Sequence, residues 1–140
     1  MIDLKKLRRM SPMSRRMAVI KDIGKDKNTD VGYVFGLLNL YNKKNSGKWF
    51  WQKAVFTGNI KDAFDKFNAT VDEIVKSLKS ENEECILKRI SAAGGIMEDF
   101  LTKLEMNLGV DRENDKAYVK GYLDDNFKAL IAGSLKEIEK

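Results

Sequence analysis

From Ile60 to Ile138 the apolar residues return at spacings of three and four with hardly a break. A strand hides every second residue, so this spacing suits one face of a helix instead. The stripe Ile60, Ala63, Phe64, Phe67, Val71, Ile74, Val75 and Leu78 predicts a helix over 60–79. Ile86, Ile90, Ala93, Met97, Phe100, Leu101, Leu104 and Leu108 predict a second over 81–108, stopped by Gly109. Val119, Leu123, Phe127, Leu130, Ile131, Leu135 and Ile138 predict a third over 114–138. Asn59 with Asp62, and Ser80 with Glu83, have the spacing of capping boxes, and Asp111 or Asn114 is placed to cap the last helix. Two adjacent glycines, Gly94 and Gly95, cost about 2 kcal/mol of helix propensity in the middle of the second helix. A kink or a close crossing by another helix is therefore expected there.

The first third reads less directly. Leu4, Leu7 and Met10 recur at helical spacing in a short basic segment. Ser11-Pro12 then opens a helix, because serine accepts from free N–H groups and proline at the first position sacrifices no hydrogen bond. That helix carries Met13, Met17, Ile20 and Ile23 inward, turns Arg15, Arg16 and Lys21 largely outward, and is expected to end at Gly24. Thr29 or Asp30 caps the next, from Val31 to Asn42, which is apolar nearly all round and hence central. Its Gly32 and Gly36 either weaken it or admit a close neighbour. Around Asn45-Ser46-Gly47 the aromatic-rich flanks also admit a β-hairpin within 31–56, but neither arm alternates cleanly and no further strand is evident to receive it. Short connections between helices favour antiparallel neighbours. The fold expected is all-α: a compact bundle of five or six helices in one domain spanning 1–140, with a basic helical segment over 1–10 free to move or to order on binding.

Composition removes several chemistries. The chain has no histidine and one cysteine, so zinc-finger patterns and Ser-His or Cys-His catalytic pairs have no members. The acidic run Asp111-Arg112-Glu113-Asn114-Asp115 lacks the central glycine and final glutamate of a calcium hand and reads as helix capping. No GxGxxG or GxxxxGK[ST] pattern offers a phosphate-cradling loop. The expectation is a protein without cofactor or metal, and not an enzyme. Cys85 cannot form an intramolecular disulfide and, beside Glu84, is expected to be a packing residue. No apolar stretch of signal-peptide or membrane-spanning length occurs, which makes a reducing, cytoplasmic setting the expectation.

Charge is the one distribution that points outward. Residues 1–53 hold 13 of the 26 Lys and Arg against four acids, a net of +9, whereas residues 54–140 carry a net of −4. Such a field steers a protein towards a polyanion. Two basic groups stand out: Lys5, Lys6, Arg8, Arg9, Arg15 and Arg16, then Lys43, Lys44, Lys48 and Lys53. The second is interleaved with Trp49 and Trp51, and seven of the 13 aromatic residues fall between Tyr33 and Phe56. Lysine and arginine neutralise phosphates, and exposed rings stack on bases. The expected function is a non-catalytic binding protein that engages nucleic acid or another polyanion through this basic third. The competing expectation is a protein-interaction module, an inhibitor or small assembly subunit, whose Trp and Arg anchors meet an acidic partner. An anionic membrane surface is a lesser alternative. The competing account of the aromatic cluster is a hydrophobic plug that closes one end of the bundle. The sequence leaves self-association open.

Overall fold

The computed structural model describes residues 3–47, 56–123, 128–129 and 132–133. Among them the secondary structure is helical: α1 (Leu4–Arg9), α2 (Pro12–Asp26), α3 (Val31–Ser46), α4 (Gly58–Ser77), α5 (Glu83–Leu108) and α6 (Lys116–Lys120). The all-α bundle inferred from periodicity is what forms. The first arm of the alternative hairpin is α3, a helix capped by the Asp30 carboxylate, which accepts from the Tyr33 N–H at 2.8 Å.

The long helices α4 and α5 are joined by the turn 78–82 and run antiparallel, with Phe64 and Phe67 of α4 against Phe100 of α5. Helix α2 packs across both, burying Val19 and Ile23 completely. Helix α3 lies against α5 on one side and α6 on another, and buries Tyr33, Leu37 and Leu40. Its near-uniform apolar surface is thus explained by neighbours on several sides.

Several local expectations are corrected. Helix α2 runs through Gly24 to Asp26, and the left-handed residue that stops it is Asn28, at φ 53°. Thr29 N–H reaches back to the Gly24 carbonyl at 2.8 Å, and Asn28 N–H to that of Lys25 at 3.1 Å. This is the Schellman arrangement with asparagine in the usual glycine position. Gly24 is needed for another reason: the Thr29 carbonyl folds back onto its Cα and leaves no room for a side chain. Neither capping box forms. Helix α4 begins after Thr57, which makes no side-chain cap. Ser80 and Glu81 donate backbone N–H groups to Ser77 O, continuing the α4 turn, so Asn82 becomes the cap of α5 and accepts from Cys85 N–H at 2.9 Å.

The single helix expected over 114–138 is interrupted at 121–123, whereas 128–129 and 132–133 are helical. Helix α6 ends at Lys120, and Tyr122 and Leu123 donate to carbonyls three residues back, tightening the chain into a turn. At this turn Asn39, buried on α3, donates its side-chain N–H to the Tyr122 carbonyl. Phe127, Leu130, Ile131, Leu135 and Ile138 of the proposed stripe lie outside the described residues. Neither Asp111 nor Asn114 caps α6, whose N-cap is Asp115. Met13 and Cys85, both expected inside, are exposed. Ile86 and Ile90 set the buried stripe of α5, and Cys85 falls about 100° away from it.

Gly94 and Gly95 do not break α5. Gly94 is where the Lys27 side chain crosses, its Cε 2.8 Å from where a Cβ would stand, whereas Gly95 faces open space. Between α3 and α6 the backbones come close at Gly36, where an added Cβ would meet the Val119 carbonyl oxygen at 2.5 Å.

Candidate polyanion-binding surface

Helix α1 is six residues long, too short to persist alone. It is held by Leu7 and, just beyond it, Met10, both buried, and by an N-cap bond from Lys6 N–H to the Asp3 carboxylate at 3.2 Å. Arg8 fixes its position. Its Nε donates to the carbonyl of Leu78, the C-cap of α4, at 2.6 Å and its Nη2 to that of Glu81, in the turn beyond, at 3.4 Å. Lys5 and Arg9 are exposed and Lys6 is half-buried, and among the described residues none of the three enters an ion pair. Arg9 Nε bonds only to the Lys5 carbonyl within its own helix, at 3.3 Å.

The other expected site residues part company. Arg16 is engaged by α4, its guanidinium spanning Asp72 and Asn68. Arg15 is half-buried, and its Nε has no hydrogen-bond partner among the described residues. Lys43 Nζ donates to the Gly47 carbonyl at 3.3 Å and closes the end of α3. Lys44 is exposed. Lys48, Trp49, Trp51 and Lys53 lie outside the described residues.

Arg8 and Lys44 lie towards opposite ends of α4. Arg8 holds its C-terminal end, while Tyr41, one turn before Lys44, stacks at 5.5 Å on Phe56, which precedes α4. A helix of 20 residues spans about 30 Å. The described aromatic residues between them serve the core: Phe56 stacks on Phe64 at 4.5 Å and meets Phe100 edge-on at 5.9 Å. For these rings, closure of the bundle is the observed role.

Sequence reading missed a polar hub on the opposite side. Arg112 bonds Glu105 through Nε and Nη2 and Glu98 through Nη1, and lies over the Tyr33 ring at 5.7 Å. Tyr33 Oη donates to Glu105 at 2.5 Å. Burial first, then this bond to a carboxylate, push the phenol well above its ordinary range. The signal available was the Glu98–Glu105 spacing, one heptad on α5, facing an arginine just beyond Gly109; it carries no meaning until α3 is placed beside it.

Next to this hub the loop 27–30 and the start of α6 enclose a two-lobed cleft, about 330 and 380 Å³, whose lobes share Asn28, Thr29 and Lys116. Lys21 and Lys25 line one lobe and Lys27 and Arg112 the other. Asp30 at its edge is paired with Lys120 at 2.6 Å.

No helix among the described residues is long and apolar enough to cross a membrane. No family model, curated protein or solved structure matches the chain.

Proposed function

We propose that this chain is a non-catalytic binding protein that engages nucleic acid through α1. The observation that carries the reading is the docking of α1: Leu7, Met10 and Arg8 are spent on holding the helix, while Lys5, Lys6 and Arg9 are left without ion pairs among the described residues. A cation array fixed on a folded surface loses less conformational freedom on meeting phosphates than a disordered tail does. Arg16 drops out of the contact set, because leaving Asp72 and Asn68 would break interactions already made. With Tyr41, Phe56 and Phe64 committed to the bundle, recognition by α1 rests on backbone charge rather than on base stacking.

Anisotropy titration of a labelled duplex and a single strand at several salt concentrations tests this. Each phosphate contact on a duplex contributes about 0.9 to the logarithmic salt slope, so losing three flattens it by about 2.7. The variant Lys5→Ala/Lys6→Ala/Arg9→Ala is expected to show that flattening with unchanged helix content. A folded wild-type protein that binds neither strand form at low salt overturns the reading, and an acidic protein surface then becomes the partner to seek.

A further inference from the structure

We infer that the cleft between the end of α2, the loop 27–30 and the start of α6 is a binding site for a diphosphate. Four lysines, Lys21, Lys25, Lys27 and Lys116, line two adjoining lobes that share Asn28, Thr29 and Lys116. Among the described residues Lys21, Lys25 and Lys27 form no ion pair, and Lys116 has only a long one, 3.9 Å from Asp30, a carboxylate that Lys120 already holds at 2.6 Å. The acids in the lining are Asp30, already held by Lys120, and Glu113, so the lysines and Arg112 outnumber them.

The cleft has a fixed frame. Asn28 stands in the left-handed conformation, held by the hydrogen bonds that end α2. Thr29 is buried, with its Oγ1 accepting from Arg112 at 3.2 Å. The Lys27 stem lies across bare backbone at Gly94. The ligand class follows from which cations remain. The Arg112 fork, the group best suited to a planar carboxylate, is occupied by Glu98 and Glu105. What remains is a set of lysine point charges, which suit the many oxygens of a phosphate. The two lobes share Lys116, which places one cation between two linked phosphoryl groups, and the buried Val31 and Tyr33 each wall one lobe. Lys25 and Lys27 lie at the far end of α2 from α1, so the inference does not depend on the nucleic-acid reading.

Inorganic pyrophosphate is the probe, titrated calorimetrically into the whole chain, with amide chemical shifts followed in parallel. Saturable binding is expected, with shifts centred on Asn28, Thr29 and Lys116. The variant Lys25→Ala/Lys27→Ala is expected to bind at least about tenfold more weakly, since it loses two charged hydrogen-bond donors to phosphate. The variant Lys5→Ala/Lys6→Ala/Arg9→Ala should bind as the wild type does. Absence of saturable binding overturns the inference, and so do shifts centred on α1 or an affinity unchanged in Lys25→Ala/Lys27→Ala. If that variant does not fold, the shift map of the wild type decides alone.

Discussion

Arg112 grips Glu105 with two parallel hydrogen bonds, Nε to Oε2 and Nη2 to Oε1, each 2.9 Å long. The two residues belong to different segments, one in the loop after Gly109 and one on α5. Through Tyr33 and Thr29 the same pair also fastens the start of α3 and the loop before it. Three parts of the bundle thus meet at one guanidinium.

Truncating that guanidinium leaves Glu105, mostly buried, without its counter-charge. Arg112→Ala is expected to cost about 2–4 kcal/mol in urea unfolding, below the about 3–5 kcal/mol for breaking a fully buried pair because Arg112 is partly exposed. Arg112→Lys should recover little of it, since one ammonium cannot reproduce the fork. Tyr33→Phe removes only the hydroxyl donor and should cost about 1–2 kcal/mol. A loss under 0.5 kcal/mol for Arg112→Ala, roughly what a surface substitution does, would show the hub to be a solvated pair.

Gly36 makes a sharper test of packing. Alanine is the better helix former by about 1 kcal/mol, so propensity alone predicts that Gly36→Ala stabilises. Its Cβ would, however, lie 2.5 Å from the Val119 carbonyl oxygen and 3.3 Å from the Lys120 Cα. Backbone cannot step aside as a side-chain tip can. The expected result is a net loss of about 1–3 kcal/mol, read by chemical denaturation.

These two sites mark where the sequence was legible and where it was not. The stripes of α4 and α5 could be read because each buries one face against a long neighbour, and Ile74, Ile86, Met97 and Phe100 lie where the period puts them. Gly109 also ends α5 as expected, at φ 68°. Signals that depend on a distant partner were opaque. Asn39 reads as a polar residue in an apolar helix until the Tyr122 carbonyl, in the turn after α6, is beside it to accept its N–H. Gly24 looked like a helix stop because glycine serves two needs, positive φ and close approach, which sequence does not separate. The basic residues Arg8 and Arg16 looked like their neighbours, yet each is taken up by a group more than fifty residues away.

The neighbouring glycines of α5 should respond in opposite ways. Gly95 has nothing within 4 Å of an added Cβ, so Gly95→Ala is expected to stabilise by about 0.5–1 kcal/mol. At Gly94 a Cβ meets the Lys27 stem, a movable group, so Gly94→Ala should change stability little. Gly94→Leu must displace the lysine and crowd Asp26 as well, and should cost about 1–3 kcal/mol. Thermal unfolding of the three variants gives the order Gly95→Ala, Gly94→Ala, Gly94→Leu, from most to least stable.

Two aspartates near the cleft make opposite contributions to the pH dependence of stability. Burial raises the carboxyl of Asp22 above its ordinary value, and the charges of Lys21 and Lys25 only partly offset this. A raised folded-state value means that the unfolded chain holds its proton less tightly. The resulting stability is complete below the ordinary carboxylate range and is lost as pH rises through the folded value. Asp30 is the reverse. Burial pushes it up, but hydrogen bonds from Lys120 and the Tyr33 N–H, with the charges of Lys120 and Lys116, outweigh that and hold it below its ordinary value. Its contribution is present above the ordinary range, about pH 3.9, and is lost as pH falls through the lower folded value. Asparagine isolates the charge in both cases, and at Asp30 it also preserves the helix cap. Asp22→Asn is therefore expected to stabilise the protein at pH 7. Asp30→Asn should destabilise it there by up to about 1 kcal/mol, as for an exposed pair. Both differences should shrink as the pH is lowered from 7 towards 3 in urea titrations. A stabilised Asp30→Asn at pH 7 would mean that Lys120 gains nothing from the pair, and a destabilised Asp22→Asn would mean that the ionised Asp22 carboxylate has a partner.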